Sequence, residues 1–177
     1  MISTPRIDAS AREGSDTGEA IDAFCESVVR SVLVDPLTTE IVRLRCADYH
    51  HCRFCAAYRE ETALTLGLDE TLVRKISHHE TSDLQPSWKA ALRLADALII
   101  DPGSADAALR AELLEHFTEA QIAELIFDVM KWSVQKIDVS LAQDIPPREG
   151  LSLLMTDGNG HLVLGGPLSE WEPALAS

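Results

Sequence analysis

The sequence of residues 40–55 is EIVRLRCADYHHCRFC, and this stretch decides how the chain folds. Asp35-Pro36 just upstream is typical of a helix N-cap followed by proline in the first helical position, so a helix is expected to run through Glu40 toward Asp48. Tyr49-His50-His51 predicts a break in this helix. A further helix is then expected from about Cys52 to Leu66.

The rest of the chain up to Asp144 has the same helical character. The composition is nearly half apolar with few aromatic residues, which suits packed helices better than strands. Thr118 and Gln121 form a capping-box pattern, and the apolar stripe that follows predicts one long helix to about Gln143. Further amphipathic segments are Glu19–Val34, Trp88–Ile99 and Leu109–Phe117. The fold class predicted from these patterns is all-α.

The composition changes after Ile145-Pro146-Pro147. Leu151–Met155 and His161–Leu164, separated by the glycine-rich stretch 156–160, predict a β-hairpin. An isolated hairpin is marginal in water, so this one must pack on the helical body or on a neighbouring subunit. We therefore expect a flexible N-terminal segment (1–18), a helical domain (19–144) and a C-terminal hairpin extension (145–177).

The charge and the apolar pattern exclude several classes of partner. The net charge is −14, and no cluster of Lys and Arg is long enough to follow a phosphate backbone, so nucleic acid is not an expected partner. The N-terminus lacks the apolar core of a signal peptide, and no apolar run could span a bilayer. These features predict a cytoplasmic protein without a membrane partner.

The chain has four cysteines, Cys25, Cys46, Cys52 and Cys55. In a reducing compartment they are not expected to form a structural disulfide framework, which leaves metal binding, redox chemistry or burial. Cys25 and Cys46 fall among apolar helical residues, so core packing is the expected role of both.

Cys52 and Cys55 have the spacing of a redox-active pair. In a helix the two side chains point about 60° apart on one face, close enough to form a disulfide if Cys52 lies in the first turn. Unpaired backbone N–H groups at a helix start would stabilise a thiolate. Arg59, four residues after Cys55, would then lie on the same face and stabilise the thiolate by charge, without accepting its proton.

A proton acceptor must therefore come from elsewhere. His51, four residues before Cys55, and His50 are the nearest candidate bases. Glu40 on the preceding helix is the nearest carboxylate upstream. The helix-start argument favours Cys52 as the attacking thiol, whereas proximity to His51 and Arg59 favours Cys55, so both remain open.

The segment from Glu40 to Asp48, followed by Cys52-x-x-Cys55 and Gly67-Leu68, resembles the carboxymuconolactone decarboxylase-like family. The resemblance is to its alkylhydroperoxidase D branch and covers roughly residues 21–144. The pattern of that branch is Glu, eleven residues, Cys, two residues, Cys, three residues, His. Glu40, Cys52 and Cys55 match its first three places, and Arg59 stands where the branch has its proton-relaying histidine.

This resemblance implies an all-helical protein that forms homo-oligomers, trimers or hexamers. It implies a peroxidase that reduces a small hydroperoxide with the CxxC pair, is reset by an external dithiol reductant, and uses no cofactor. Because both cysteines are present and position 59 is not histidine, the resemblance favours thiol redox chemistry over decarboxylation.

Two alternatives remain beside this interpretation. Cys46, His50, Cys52 and Cys55 are four candidate zinc ligands within ten residues, although on one continuous helix their directions would not converge on a tetrahedral ion. The other alternative is a non-catalytic helical oligomer that binds a small ligand or a partner. The redox hypothesis itself predicts no bound metal.

Overall fold

The computed structural model describes residues 14–157 and 159–172, and most of these residues lie in helices. The predicted flexible segment 1–18 falls largely outside the described residues. The helices are α1 (Asp16–Val29), α2 (Pro36–Tyr49), α3 (Arg53–Ala56), α4 (Glu61–Thr65), α5 (Glu70–Ile76), α6 (Pro86–Ile100), α7 (Ala107–His116), α8 (Glu119–Val134) and α9 (Lys136–Leu141).

The helices begin where the sequence supplies capping residues. Asp35 accepts a hydrogen bond of 2.9 Å from the backbone N–H of Thr38 at the start of α2, with Pro36 in the first turn. The predicted capping box between Thr118 and Gln121 is formed at the start of α8. These caps satisfy backbone donors that have no partner within the helix, so they fix where α2 and α8 begin.

The main hydrophobic core lies between α2, α6 and α8. Each helix contributes one apolar face to it, as the helical periodicity predicts. A second cluster packs the other side of α2 against α4, α5 and α6. α2 is therefore covered on nearly all sides, and even Glu40 and Arg43 on it are buried.

Three strands form one small sheet beside the helices. They are β1 (Tyr58–Glu60), β2 (Ser152–Thr156) and β3 (Leu162–Pro167), in the order β1-β2-β3. β2 and β3 are antiparallel and form the predicted C-terminal hairpin, and β1 pairs with β2 in parallel, with Arg59 opposite Leu153. The hairpin packs on the helical body through β1, so the predicted fold class, all-α with a C-terminal hairpin, is confirmed.

The structure corrects the bounds of three helices predicted from the sequence. The prediction of one helix from Cys52 to Leu66 is wrong, because the chain forms α3, β1 and α4 over this range. The long helix expected to reach Gln143 is broken at Gln135 into α8 and α9. The first helix, expected over Glu19–Val34, runs from Asp16 to Val29, so it begins three residues and ends five residues earlier than predicted.

None of the helices within residues 14–157 and 159–172 is long and apolar enough to cross a membrane.

Candidate active site

Cys52 and Cys55 are joined in a disulfide at the start of α3. Cys52 is the N-cap residue of this helix, and its Sγ accepts a hydrogen bond of 3.2 Å from the backbone N–H of Cys55. Both residues are only 3% exposed. The predicted juxtaposition of the two cysteines at a helix start is therefore present.

The side-chain amide of Gln135 lies against both sulfurs. Its Oε1 is 3.7 Å from Cys52 Sγ and in close contact with Cys55 Sγ. Gln135 stands at the junction of α8 and α9, where the break between the two helices directs it toward α3. An amide can accept from a thiol or, with its N–H₂, donate to a thiolate.

Sequence reasoning missed Gln135. It lies within the segment predicted as one continuous helix, 80 residues from Cys55. On that helix Gln135 would lie about 200° from Ser133, opposite the apolar stripe, so its polar character was no signal of a role beside the thiols.

Asp144, which follows α9 in the chain, holds the start of α3 in place through hydrogen bonds. Its carboxylate accepts from the backbone N–H of Arg53 at 2.9 Å and from the Arg53 guanidinium at 2.7 Å. Its carbonyl accepts from the N–H of Phe54 at 3.0 Å. The side-chain hydrogen bond from Arg53 holds the pKa of Asp144 below its usual value, so the carboxylate stays charged at neutral pH.

Glu40, the candidate carboxylate, reaches the thiol pair only through Arg43. Its two oxygens accept from Arg43 at 2.5 and 2.6 Å, and one of them also accepts from the backbone N–H of Glu60 at 3.1 Å. Arg43 in turn donates to the carbonyl oxygens of Cys55 at 2.8 Å and Tyr58 at 2.7 Å. Glu40 is thus connected to the backbone of the CxxC turn through an arginine that stays protonated and cannot relay a proton.

The two candidate histidines lie at the end of α2. His50 caps this helix, and its Nε2 is 3.4 Å from Ser133 Oγ. Burial, together with the nearby Lys136 and His51, lowers the pKa of His50 to about 4, so its ring is neutral at pH 7. His51 has a positive φ of 54° and an exposed side chain, and the backbone leaves the helix there, as the predicted break required.

Arg59 lies on β1 instead of on a helix shared with Cys55. Its buried guanidinium pairs with Glu70 at 2.7 Å and donates to the carbonyl oxygens of Ala56 and Tyr58 at 2.8 and 2.7 Å. The premise that Arg59 and Cys55 share a helical face is therefore wrong. The guanidinium covers the C-terminal end of α3. Whether its charge lowers the pKa of the thiols is treated as a prediction in the Discussion.

The two remaining cysteines have different environments. Cys46 is buried in the core, which raises the pKa of its thiol to about 12, so it stays protonated. Cys25 on α1 is only half-buried, in contrast to the expected core position, and burial also raises the pKa of its thiol. Across 14–157 and 159–172, no three His, Cys, Asp or Glu side chains are grouped so as to hold a metal ion.

A cavity of about 590 Å³ lies on the other side of the Glu40–Arg43 pair. Both residues line it, together with Asp128, Lys131 and Trp132 of α8, while Cys52 and Cys55 do not. The disulfide and the cavity are therefore separate sites that share the buried ion pair as a common wall.

Comparison with solved structures identifies the fold. A protein of unknown function from Agrobacterium tumefaciens, described as a candidate antioxidant defence protein AhpD, superposes with a TM-score of 0.67. It is 20% identical, and the match covers 82% of this chain and 100% of the other.

An uncharacterized peroxidase-related protein from Ralstonia eutropha JMP134, described as an alkylhydroperoxidase AhpD core, gives a TM-score of 0.64 at 14% identity. That match covers 76% of this chain and 72% of the other. The chain has the AhpD-like fold that the sequence resemblance predicted.

Comparison with curated sequences finds close relatives without a named activity. Uncharacterized proteins from two strains of Mycobacterium tuberculosis, CDC 1551 / Oshkosh and ATCC 25618 / H37Rv, are each 41% identical over 146 residues. The matches cover 81% of this chain and 51% of each relative, so the chain spans about half the length of the curated relatives it matches. No family model matches the chain.

Proposed function

We propose that this AhpD-like chain is a thiol-dependent peroxidase or disulfide reductase that works through Cys52 and Cys55. The observation that carries the proposal is the disulfide at the start of α3, with a backbone N–H directed at Cys52 Sγ and the Gln135 amide against both sulfurs. A pair placed in this way can store two electrons and release them without unfolding. The peroxidase-related descriptions of the structural neighbours support the same chemistry.

The reaction begins from the reduced pair. One thiolate attacks the terminal oxygen of a hydroperoxide, the O–O bond breaks, and an alcohol leaves after taking up a proton. The resulting sulfenic acid condenses with the second thiol, which forms the Cys52–Cys55 disulfide and releases water. An external dithiol then returns two electrons and two protons to the pair and is itself oxidised to a disulfide.

Access to the sulfurs depends on α9. Val139 of this helix packs against the cluster formed by Ala47, Cys52 and Cys55. α9 has six residues and none of them is fully buried, so few apolar contacts oppose its displacement. In the proposed cycle, an outward movement of α9 exposes the disulfide to the dithiol and the thiols to the hydroperoxide.

The proton for the leaving alcohol is not assigned to Glu40, because Arg43 and the Glu60 N–H occupy both of its oxygens. His51 lies on the surface beside the thiol pair in sequence and is the remaining titratable candidate among the predicted site residues. In the proposed mechanism, His51 or solvent delivers this proton, and the rate follows thiolate formation.

The test is a hydroperoxide consumption assay with a dithiol reductant, run on the wild type, Cys52→Ser and Cys55→Ser. Turnover should be lost in both variants. In a single-turnover experiment, the variant that keeps the attacking cysteine should still consume one equivalent of hydroperoxide, which identifies that cysteine. Cys25→Ser is the matched control and should keep wild-type turnover. Equal activity in all three variants would contradict the proposal.

The proposal also includes a homo-oligomeric assembly and a cytoplasmic location. The AhpD-like fold and exposed apolar side chains on α8, such as Phe127 and Met130, support a homo-oligomer, a trimer or hexamer. Light scattering at micromolar concentration should give a multiple of the monomer mass, and a monomer would contradict it. The reducing environment needed to reset the pair is consistent with the proposed cytoplasmic location.

A further inference from the structure

The cavity on the far side of the Glu40–Arg43 pair contains a lysine that the redox chemistry does not use. Lys131 is 5% exposed, and among the described residues its ammonium group has neither a hydrogen bond nor an ion pair. Its contact is with the face of the neighbouring Trp132, where Nζ lies 3.2 Å from the ring centroid. A buried lysine without a hydrogen-bonded carboxylate is rare, and nearby Asp128 offsets only part of the cost of desolvating the charge of Lys131.

The space in front of Lys131 is suited to an apolar molecule. Aliphatic side chains of α1, of the loop before α2 and of the hairpin form one part of its wall: Val28, Val29, Val32, Leu33, Leu154 and Leu162. Polar and charged side chains form much of the rest, among them Asp35, Glu40, Arg43 and Glu60. The volume of about 590 Å³ is in the range of small-molecule sites. The loop is held in place by Glu124, which accepts from the backbone N–H groups of Leu33 and Val34 at 3.0 and 2.9 Å.

Asp128 lies three residues before Lys131 on the same face of α8 and also lines the cavity. Its Oδ2 is buried, and no hydrogen-bond partner for it occurs among the described residues. Burial raises the pKa of this carboxyl to about 7, so at neutral pH it is divided between the acid and the carboxylate. A group of this kind can both donate and accept a proton.

Burial has the opposite effect on Lys131 and lowers its pKa to about 7. The ionisable groups that act on it come from three helices: Asp128 on α8, Cys25 on α1, and Arg43 and Glu40 on α2. On the hairpin side the titratable neighbour in the adjoining pocket is His161, with Asp22 and Glu26 on α1. A large fraction of the amine is thus uncharged near neutral pH and nucleophilic.

We propose that Lys131 is a carbonyl-reactive amine, which forms an imine with an apolar aldehyde admitted to this cavity. The Nζ lone pair attacks the carbonyl carbon, the C–N bond forms as the C=O π bond breaks, and one proton passes from Nζ to the carbonyl oxygen. Asp128 in its acid form protonates the hydroxyl of this carbinolamine, which leaves as water when the C–O bond breaks. The C=N bond forms as the water leaves, and the second proton of Nζ passes to the Asp128 carboxylate, so Asp128 is restored to its acid form and no oxidant or reductant is consumed.

The test compares the four lysines of the full-length chain, Lys75, Lys89, Lys131 and Lys136, in one sample. The protein is incubated at pH 7 with hexanal and cyanoborohydride, and each site of reductive alkylation is quantified by peptide mass mapping. Lys131 should be modified at least about tenfold faster than the exposed Lys136, because an ordinary lysine with a pKa near 10.4 is almost fully protonated at this pH. Equal or slower modification of Lys131 overturns the proposal.

Two variants test the cavity and the proton donor. Val29→Phe narrows the cavity and should slow modification of Lys131 while leaving Lys136 unchanged, and an unchanged rate at Lys131 would contradict entry through this cavity. Asp128→Asn should slow imine formation at Lys131 and flatten its pH dependence near neutrality. An unchanged rate and pH profile in Asp128→Asn would contradict the role of Asp128.

Discussion

Arg43 donates a hydrogen bond of 2.8 Å to the carbonyl oxygen of Cys55, and the same guanidinium holds both oxygens of Glu40. The buried ion pair on α2 is therefore tied to the backbone of the turn that carries the thiols. Through this link Glu40, twelve residues before Cys52, is connected to the CxxC turn without touching a sulfur. Its effect on the thiols is one of position, because arginine does not exchange protons at working pH.

Removing one partner of the Glu40–Arg43 ion pair should lower the stability of the fold. Arg43→Met leaves the Glu40 carboxylate buried without its cation, so we expect the free energy of unfolding in urea to fall by about 3–5 kcal/mol. Arg110→Met is the matched control, because its partner Glu119 and Arg110 itself are 79% and 67% exposed. The control should change stability by less than about 1 kcal/mol. Equal effects of the two substitutions would contradict the structural role of Arg43.

Gln135 should tune the reactivity of the reduced thiols. In Gln135→Leu the thiolate loses the amide that can donate to it, so the pKa of the reactive cysteine should rise by about one unit and alkylation near pH 7 should slow about tenfold. The measurement is the pH profile of iodoacetamide alkylation. Gln143→Leu, at an exposed glutamine, should give the wild-type profile. A wild-type profile for Gln135→Leu would show that the amide does not act on the thiols.

Arg59 should matter more for stability than for thiol reactivity. Arg59→Met removes hydrogen bonds to the carbonyl oxygens of Ala56 and Tyr58, so we expect a loss of about 1–3 kcal/mol in urea unfolding. Arg74→Met, at an exposed arginine on α5, should have little effect. The alkylation profile of Arg59→Met should stay close to that of the wild type. A clear rise in the thiol pKa would instead restore the electrostatic role predicted from the sequence.

The hairpin offers a matched pair of glycines. At Gly165 an added Cβ would lie 2.8 Å from Leu153 Cβ and 3.0 Å from Met155 Sδ, whereas at Gly166 nothing lies within 4 Å. Gly165→Ala should therefore force β3 away from β2 and lower the free energy of unfolding by about 1–3 kcal/mol, while Gly166→Ala should change it little. Chemical unfolding of both variants decides this. Similar stabilities would mean that β3 is not packed on β2 as described.

The sequence predicts the helices of this fold well where caps and apolar periodicity agree. Asp35-Pro36 and Thr118 mark the starts of α2 and α8, and the structure places both helices there. The prediction from the sequence fails at Tyr58–Glu60. There the helical pattern is overridden by pairing with a strand that lies more than 90 residues later in the chain. Long-range strand pairing of this kind leaves no local signal, so one predicted helix became α3, β1 and α4.

The candidate site was predicted in part. The CxxC pair is found at a helix start as expected, and Glu40 is connected to it, but through Arg43, which sequence spacing did not single out. The position of Gln135 results from a helix break that no Gly or Pro marks in the sequence. Its contact with the two cysteines arises from tertiary packing alone. The cavity around Lys131 likewise depends on tertiary packing, because a single Lys on an amphipathic helix is ordinarily exposed.

The most direct measurement of the redox claim is mass mapping of the four cysteines by differential alkylation. The fully reduced protein is treated with one equivalent of hydroperoxide, quenched with one alkylating reagent, reduced with a dithiol and labelled with a second. The account predicts that Cys52 and Cys55 carry the second label while Cys25 and Cys46 carry the first or remain unreacted until unfolding. If Cys52 and Cys55 both carry the first label after peroxide, the pair is not redox-active and the proposed function is wrong.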